Sequence, residues 1–111
     1  MELTVTEYSH CNILKITGRI DSYSAPQVKD VITKLIDDGH HNIIVDLQDV
    51  PYLSSSGILT FVNAQRKLKR ENTGELVFVN VPDLIFSNFQ LAGFDTIFDF
   101  HNDTASALGR F

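Results

Sequence analysis

The stretch from Asn42 to Gly57, Asn-Ile-Ile-Val-Asp-Leu-Gln-Asp-Val-Pro-Tyr-Leu-Ser-Ser-Ser-Gly, concentrates the residues that could do chemistry. It reads as a buried strand, a turn, and three consecutive serines, Ser54, Ser55 and Ser56, at the mouth of a helix. Hydroxyls at a helix N-terminus lie among backbone N–H groups that have no intrahelical acceptor, at the positive end of the helix dipole. A small, flexible hydroxyl in that position suits the addition and removal of a phosphate. A switch is therefore the leading reading, ahead of an enzyme active site. The alternative is plain helix capping, in which one serine accepts an N–H bond worth about 1 kcal/mol. A cap needs only one serine, so capping leaves the run unexplained, yet the spacing alone favours capping over regulation.

The other reactive residues point elsewhere. His40 and His41 stand in a polar turn with Asp37, Asp38 and Gly39. Adjacent histidines do not face one way on a regular element, and no third ligand is placed, so a solvated turn is expected and no metal. Asp49 reads as a turn residue and Asp46 as a backbone hydrogen-bonding group after a buried strand. Asp21 reads first as a loop stabiliser and second as a partner contact. Gly57 and Gly74 are isolated, so no glycine-rich phosphate loop is present, and no Ser–His–Asp set assembles from local spacing. No cofactor is expected.

The elements that must position the serines follow from periodicity. Leu3, Val5 and Glu7 alternate with Thr4 and Thr6, which predicts a first strand. Asn12 to Thr17 predicts a second, and the short link Ser9-His10-Cys11-Asn12 makes the pair an antiparallel hairpin. Ser24 reads as an N-cap with Gln27 three residues on as its capping-box partner and Pro26 in the first turn. Val28, Val31, Ile32, Leu35 and Ile36 follow at helical spacing, and Gly39 closes that helix. Ile43 to Leu47 is a continuous apolar run suited to a central strand covered by helices.

A second helix is expected to follow Gly57 and run to about Glu71. Leu76 to Val79 reads as another buried strand. Pro82 and Asp83 open a third helix that Gly93 stops, Ile97 to Phe100 reads as a short last strand, and Asp103 or Thr104 caps a terminal helix ended by Gly109. Alternating strands and helices with short loops imply right-handed crossovers and a parallel sheet. The expected fold is a single α/β domain: a mixed, mostly parallel sheet with an N-terminal antiparallel hairpin and about four helices.

On a helical wheel of residues 58 to 70, Ile58, Phe61, Val62 and Leu68 share one side, with Ala64 at its margin. Leu59 falls away from that stripe. It is expected at the surface, one turn from the serines, as a partner contact. Phe86, Phe89, Phe94, Phe98 and Phe100 are expected to supply core; the alternative for some of them is a homodimer surface.

Composition narrows the class. At 111 residues the chain is one domain, able to bury roughly two-thirds of its unfolded surface. Nine Lys and Arg against fourteen Asp and Glu give a formal charge of −5, which argues against nucleic acid as a partner. Cys11 is the only cysteine, so no internal disulfide forms, in keeping with a reducing cytoplasm. Cys11 itself reads as a small apolar filler. No apolar run approaches the ~18 residues that span a membrane, and the first residues do not read as a signal peptide.

Three segments resemble the STAS family, the domain shared by bacterial anti-sigma factor antagonists and the cytosolic tails of sulfate transporters. Gly18-Arg19-Ile20-Asp21 followed by Ser24-Ala25-Pro26 is similar to the family's segment before its first helix. Val45-Asp46-Leu47 through Tyr52-Leu53-Ser54-Ser55-Ser56-Gly57-Ile58 is similar to its strand and serine turn. Phe86 to Phe94 followed by Ile97-Phe98 is similar to its closing helix and turn.

The resemblance implies that Ser55 accepts phosphate, with Ser54 and Ser56 as alternative acceptors. Ser54, Ser56, Gly57 and Leu59 are expected to shape the surroundings of that acceptor, and Asp21 and Ser22 on a neighbouring loop to complete the docking surface for a partner. That partner is an anti-sigma factor serine kinase, bound by the unphosphorylated form and released on phosphorylation; a PP2C-type phosphatase restores the antagonist. The domain would be a substrate of catalysis and no enzyme. One position departs from the family pattern: Ser54 stands where Asp is frequent, which alters the charge beside the acceptor. The rival expectation is an adaptor that never accepts phosphate, within a signalling or lipid-transport complex.

Overall fold

A computed structural model describes all residues from Met1 to Phe111. Strands β1 (Glu2–Glu7) and β2 (Asn12–Thr17) form the hairpin, followed by α1 (Ala25–Asp37), β3 (Asn42–Asp49) and α2 (Ser55–Glu71). Then come β4 (Glu75–Val79), α3 (Asp83–Ala92), a single 3-10 turn over Asp95–Ile97, β5 (Phe100–His101) and α4 (Thr104–Leu108). The five strands lie in the order β1-β2-β3-β4-β5. The β1–β2 pair is antiparallel and the remaining pairs are parallel, as the alternation of elements requires. No helix is long and apolar enough to cross a membrane.

Alternation along the strands divides the core between two faces. Leu14 and Ile16 of β2, Ile43, Val45 and Leu47 of β3, and Leu76 and Phe78 of β4 meet α1, α2 and α3. Phe78 is the hub, with Phe61, Phe89, Phe98 and Phe100 around it at centroid distances of 4.9–5.4 Å. Phe89 and Phe98 are buried, whereas Phe86, Phe94 and Phe100 are half-buried. On the other face Cys11, Ile13, Ile44, Val77 and Val79 form a smaller cluster with Ala107 of α4. Burial raises the Cys11 thiol above its ordinary pKa, as expected of an apolar filler.

Four local expectations are corrected. The helix α2 starts at Ser55, not after Gly57, so two of the serines belong to its first turn. The Ser24–Gln27 capping box does not form, because Ser24 already has helical backbone angles and its Oγ turns back to the preceding loop. Asp46 lies inside β3 and is itself buried. The last strand is Phe100–His101, because the 3-10 turn takes Asp95–Ile97 and sends the Phe98 ring into the core.

Candidate functional site

The serine turn is built on an extended backbone at Ser54, with φ −79° and ψ 168°, from which α2 departs. Ser54 is the N-cap: its Oγ accepts the Gly57 N–H at 3.2 Å, and its carbonyl accepts the Ile58 N–H at 3.0 Å. The Ser54 and Ser56 hydroxyls also bond each other at 2.9 Å. Ser55 lies between them, exposed, and its hydroxyl makes no hydrogen bond to the rest of the chain. The remaining first-turn amides of α2 have no intrahelical acceptor, so this end of a 17-residue helix presents positive partial charge beside Ser55.

A neighbouring loop is stitched to the serine turn through the backbone. The Ile20 N–H donates to the Tyr52 carbonyl at 2.9 Å, and the Ser54 N–H donates to the Ile20 carbonyl at 2.8 Å. Ile20 and Leu53 thereby form an isolated parallel bridge. The Arg19 guanidinium stacks on the Tyr52 ring at 4.4 Å, a cation–π contact. The Asn88 side-chain amide of α3 donates to the Leu53 carbonyl at 3.3 Å.

Asp21 organises that loop. Its Oδ1 accepts the Tyr23 and Ser24 N–H groups, each at 3.0 Å, and lies 3.2 Å from the Ser24 hydroxyl. The Ser24 N–H bond holds the Asp21 carboxyl below its ordinary pKa; the Tyr23 N–H, the Ser24 hydroxyl and the Arg19 charge act the same way, against a desolvation effect. The loop-stabilising role anticipated from sequence is therefore present, and Ser22 beside it is exposed.

Gly57 carries no side chain for a packing reason. A Cβ there would stand 2.6 Å from Leu53 Cδ1 and 2.8 Å from Ile20 Cγ2. The absent methyl lets the first turn of α2 close on the Ile20–Leu53 bridge. Leu59 is 46% exposed, as its wheel position requires.

Two apolar groups at the site were not singled out from the sequence. Leu91 in the last turn of α3 is 87% exposed, and Tyr52 is 41% exposed. With Ser55, Ile58, Asn88 and Ala92 they line a shallow cleft of about 380 Å³. The signal available was that Leu91 falls off the Ile85–Phe89 buried face of α3.

The remaining candidates lie apart from this constellation. The buried Asp46 carboxylate accepts the Gln48 N–H at 3.0 Å and the Asn80 amide at 3.4 Å. Asp49 pairs with Lys15 at 3.3 Å across the surface of the sheet. His41 Nε2 lies 3.1 Å from the Ile36 carbonyl, and no group of three or more His, Cys, Asp or Glu side chains is placed to hold a metal ion.

The structure is a small mixed-sheet α/β domain that presents a free serine hydroxyl at a helix N-terminus, beside an open cleft of mixed polar and apolar lining. The chain matches the STAS domain family over residues 2–107 and belongs to that family. The anti-sigma-B factor antagonist of Staphylococcus aureus is 34% identical to it over 80 residues, covering 72% of this chain and 73% of the relative. The anti-sigma factor antagonist structure from Mycobacterium paratuberculosis superposes with a TM-score of 0.87 at 24% identity, covering 98% of this chain and 92% of that one. The Bacillus cell fate determinant SpoIIAA in its phosphorylated form has the same fold, with a TM-score of 0.75 at 17% identity and 98% coverage of both chains.

Proposed function

We propose that this chain is a cytoplasmic anti-sigma factor antagonist controlled by phosphorylation of Ser55. Unphosphorylated, it binds and sequesters an anti-sigma factor serine kinase; phosphorylated, it lets go, and a PP2C-type phosphatase resets it. The observation that carries this reading is the division of labour in the serine turn. Ser54 is committed to the helix cap and Ser56 to Ser54, whereas Ser55 is exposed with an unengaged hydroxyl. A phosphate there adds about −1.5 to −2 charges where the helix dipole tolerates them, so the fold survives. A partner seated over Tyr52, Leu59 and Leu91 would meet that charge at its rim and be displaced by desolvation and repulsion. Asp21 and Ser22 complete the docking surface through the loop stitched to Ser54. The chain is the substrate of the kinase and supplies no catalytic group.

The second reading, a constitutive STAS adaptor in a signalling or lipid-transport complex, is favoured by one observation: Ser54 stands where the family frequently carries Asp. A single experiment separates the two. The protein is incubated with ATP and its partner kinase, and its intact mass is measured. Gain of one phosphate mapping to Ser55 supports the switch; stable binding without modification supports the adaptor. Ser55→Ala is expected to retain kinase binding. Ser55→Glu is expected to weaken it by about 2 kcal/mol, on the order of thirtyfold in Kd. Equal affinity for the two variants by titration calorimetry overturns the mechanism.

A further inference from the structure

The two edges of the sheet are managed differently. β5 is two residues long and offers almost nothing to pair with. β1 is six residues long, pairs with β2 in unbroken register, and contains no proline, lysine or glycine. Five of its six residues are exposed, and Thr4, Val5 and Thr6 are strong strand formers. Natural edge strands are normally blunted by shortness, charged side chains, proline or a bulge; β1 carries charge only at its two ends, Glu2 and Glu7, and has none of the other devices.

The hairpin fixes which groups are free on that edge. The Tyr8 N–H donates to the Cys11 carbonyl at 2.9 Å, so Tyr8–Cys11 is a hydrogen-bonded pair. Alternation along an antiparallel ladder then turns the backbone groups of Thr6 and Thr4 toward β2. Those of Leu3, Val5 and Glu7 point outward, unpaired.

We infer that β1 is a self-association surface, and that a second copy of this chain adds its own β1 antiparallel to it. Outward-pointing residues must meet outward-pointing residues across the two-fold axis. Centring the axis on Thr4 pairs Leu3 with the partner's Val5 and Val5 with the partner's Leu3, four backbone hydrogen bonds in all. Each glutamate Glu2 then faces a threonine, the partner's Thr6. Centring on Val5 instead places Leu3 against a glutamate, and centring on Leu3 shortens the paired segment. The Thr4 register joins the two sheets into one of ten strands, and none of the residues around Ser55 belongs to β1.

The experiment uses the full chain. Sedimentation of the wild type over a wide concentration range is expected to show a monomer–dimer equilibrium. Thr4 lies across the hairpin from Lys15, so Thr4→Glu suits the folded monomer while setting two carboxylates face to face on the axis. This variant is expected to remain folded by circular dichroism and to lose the dimer. Thr4 occupies a non-hydrogen-bonded position, where facing Cα atoms approach to about 4.5 Å, within disulfide range. Thr4→Cys is therefore expected to cross-link under mild oxidation, and Thr6→Cys is not. A wild type that stays monomeric, a dimer that survives Thr4→Glu, or equal cross-linking at both positions overturns the inference.

Discussion

The Oγ atoms of Ser54 and Ser56 lie 2.9 Å apart, and Ser54 Oγ also accepts the Gly57 N–H. Two of the three hydroxyls are thus tied into the start of α2, and the one between them is left over. Removing the cap should show as a stability loss. Ser54→Ala is expected to lower unfolding free energy by about 1 kcal/mol in urea denaturation. Ser54→Asp, an equally good cap residue, is expected to hold the wild-type value. A cost for Asp equal to that for Ala would mean that the cap is not what Ser54 contributes.

Gly57 is predicted to be the least replaceable residue of the turn. An alanine Cβ would overlap the side chains of Leu53 and Ile20, which are 3% and 0% exposed, so both would have to shift within the core. Gly57→Ala is expected to cost about 1–3 kcal/mol, the range for overpacking. Because the overlap falls on the bridge between the Asp21 loop and the serine turn, amide exchange at Ser54 N–H should speed up beyond the change in global stability. A neutral substitution would contradict the packing described.

The Asp21 carboxyl makes the loop acid-sensitive in a defined direction. Its folded pKa is depressed, chiefly by the Ser24 N–H, relative to an unfolded value of about 3.9. Its contribution to stability is therefore complete above about pH 3.9 and is lost as pH falls from there through the folded value. An NMR titration of the carboxyl should give a midpoint below 3.9, and the stability difference between wild type and Asp21→Asn should shrink in the same window. A midpoint at or above the unfolded value would remove Asp21 as the organiser of this loop.

Most of the architecture could be read from the sequence because it rests on periodicity that burial enforces. The run Ile43–Leu47 had to be central, and Val28, Ile32, Leu35 and Ile36 had to share a helix face; all are buried. What escaped depended on competition between near-equal local options. Any of three serines could cap α2, and only the extended backbone at Ser54 decides it. Ser24 could cap α1, but the Asp21 turn claims its hydroxyl and its N–H first. The alternation Ile97-Phe98-Asp99-Phe100 imitates a strand, yet Ile97 closes a 3-10 turn, and only the Phe100 end of that run enters the ladder. At the site, Ser55 and Leu59 stood out because their residue types conflict with a purely structural role, whereas Leu91 looked like ordinary helix until its exposure was known.

Gln65 is the polar residue that the helical wheel should have flagged. It lies four residues after Phe61 and three before Leu68, on the apolar stripe, and is 3% exposed. Its Oε1 accepts the Leu76 N–H at 2.8 Å, and its Nε2 donates to the Ile97 carbonyl at 3.0 Å. One side chain thus satisfies the first buried amide of β4 and fixes the 3-10 turn that displaces the expected last strand. Replacing it with Leu keeps the volume but leaves a buried N–H and a carbonyl unpaired, at about 1–3 kcal/mol for each group. Gln65→Leu is therefore expected to destabilise the fold by at least about 1 kcal/mol, although it adds apolar surface to the core. Gln65→Glu can still accept from Leu76 but loses the donor and buries a charge, so it is expected to be worse at neutral pH and to recover in acid. Urea unfolding of both variants at two pH values checks the order; a Leu variant as stable as wild type would mean that neither hydrogen bond matters.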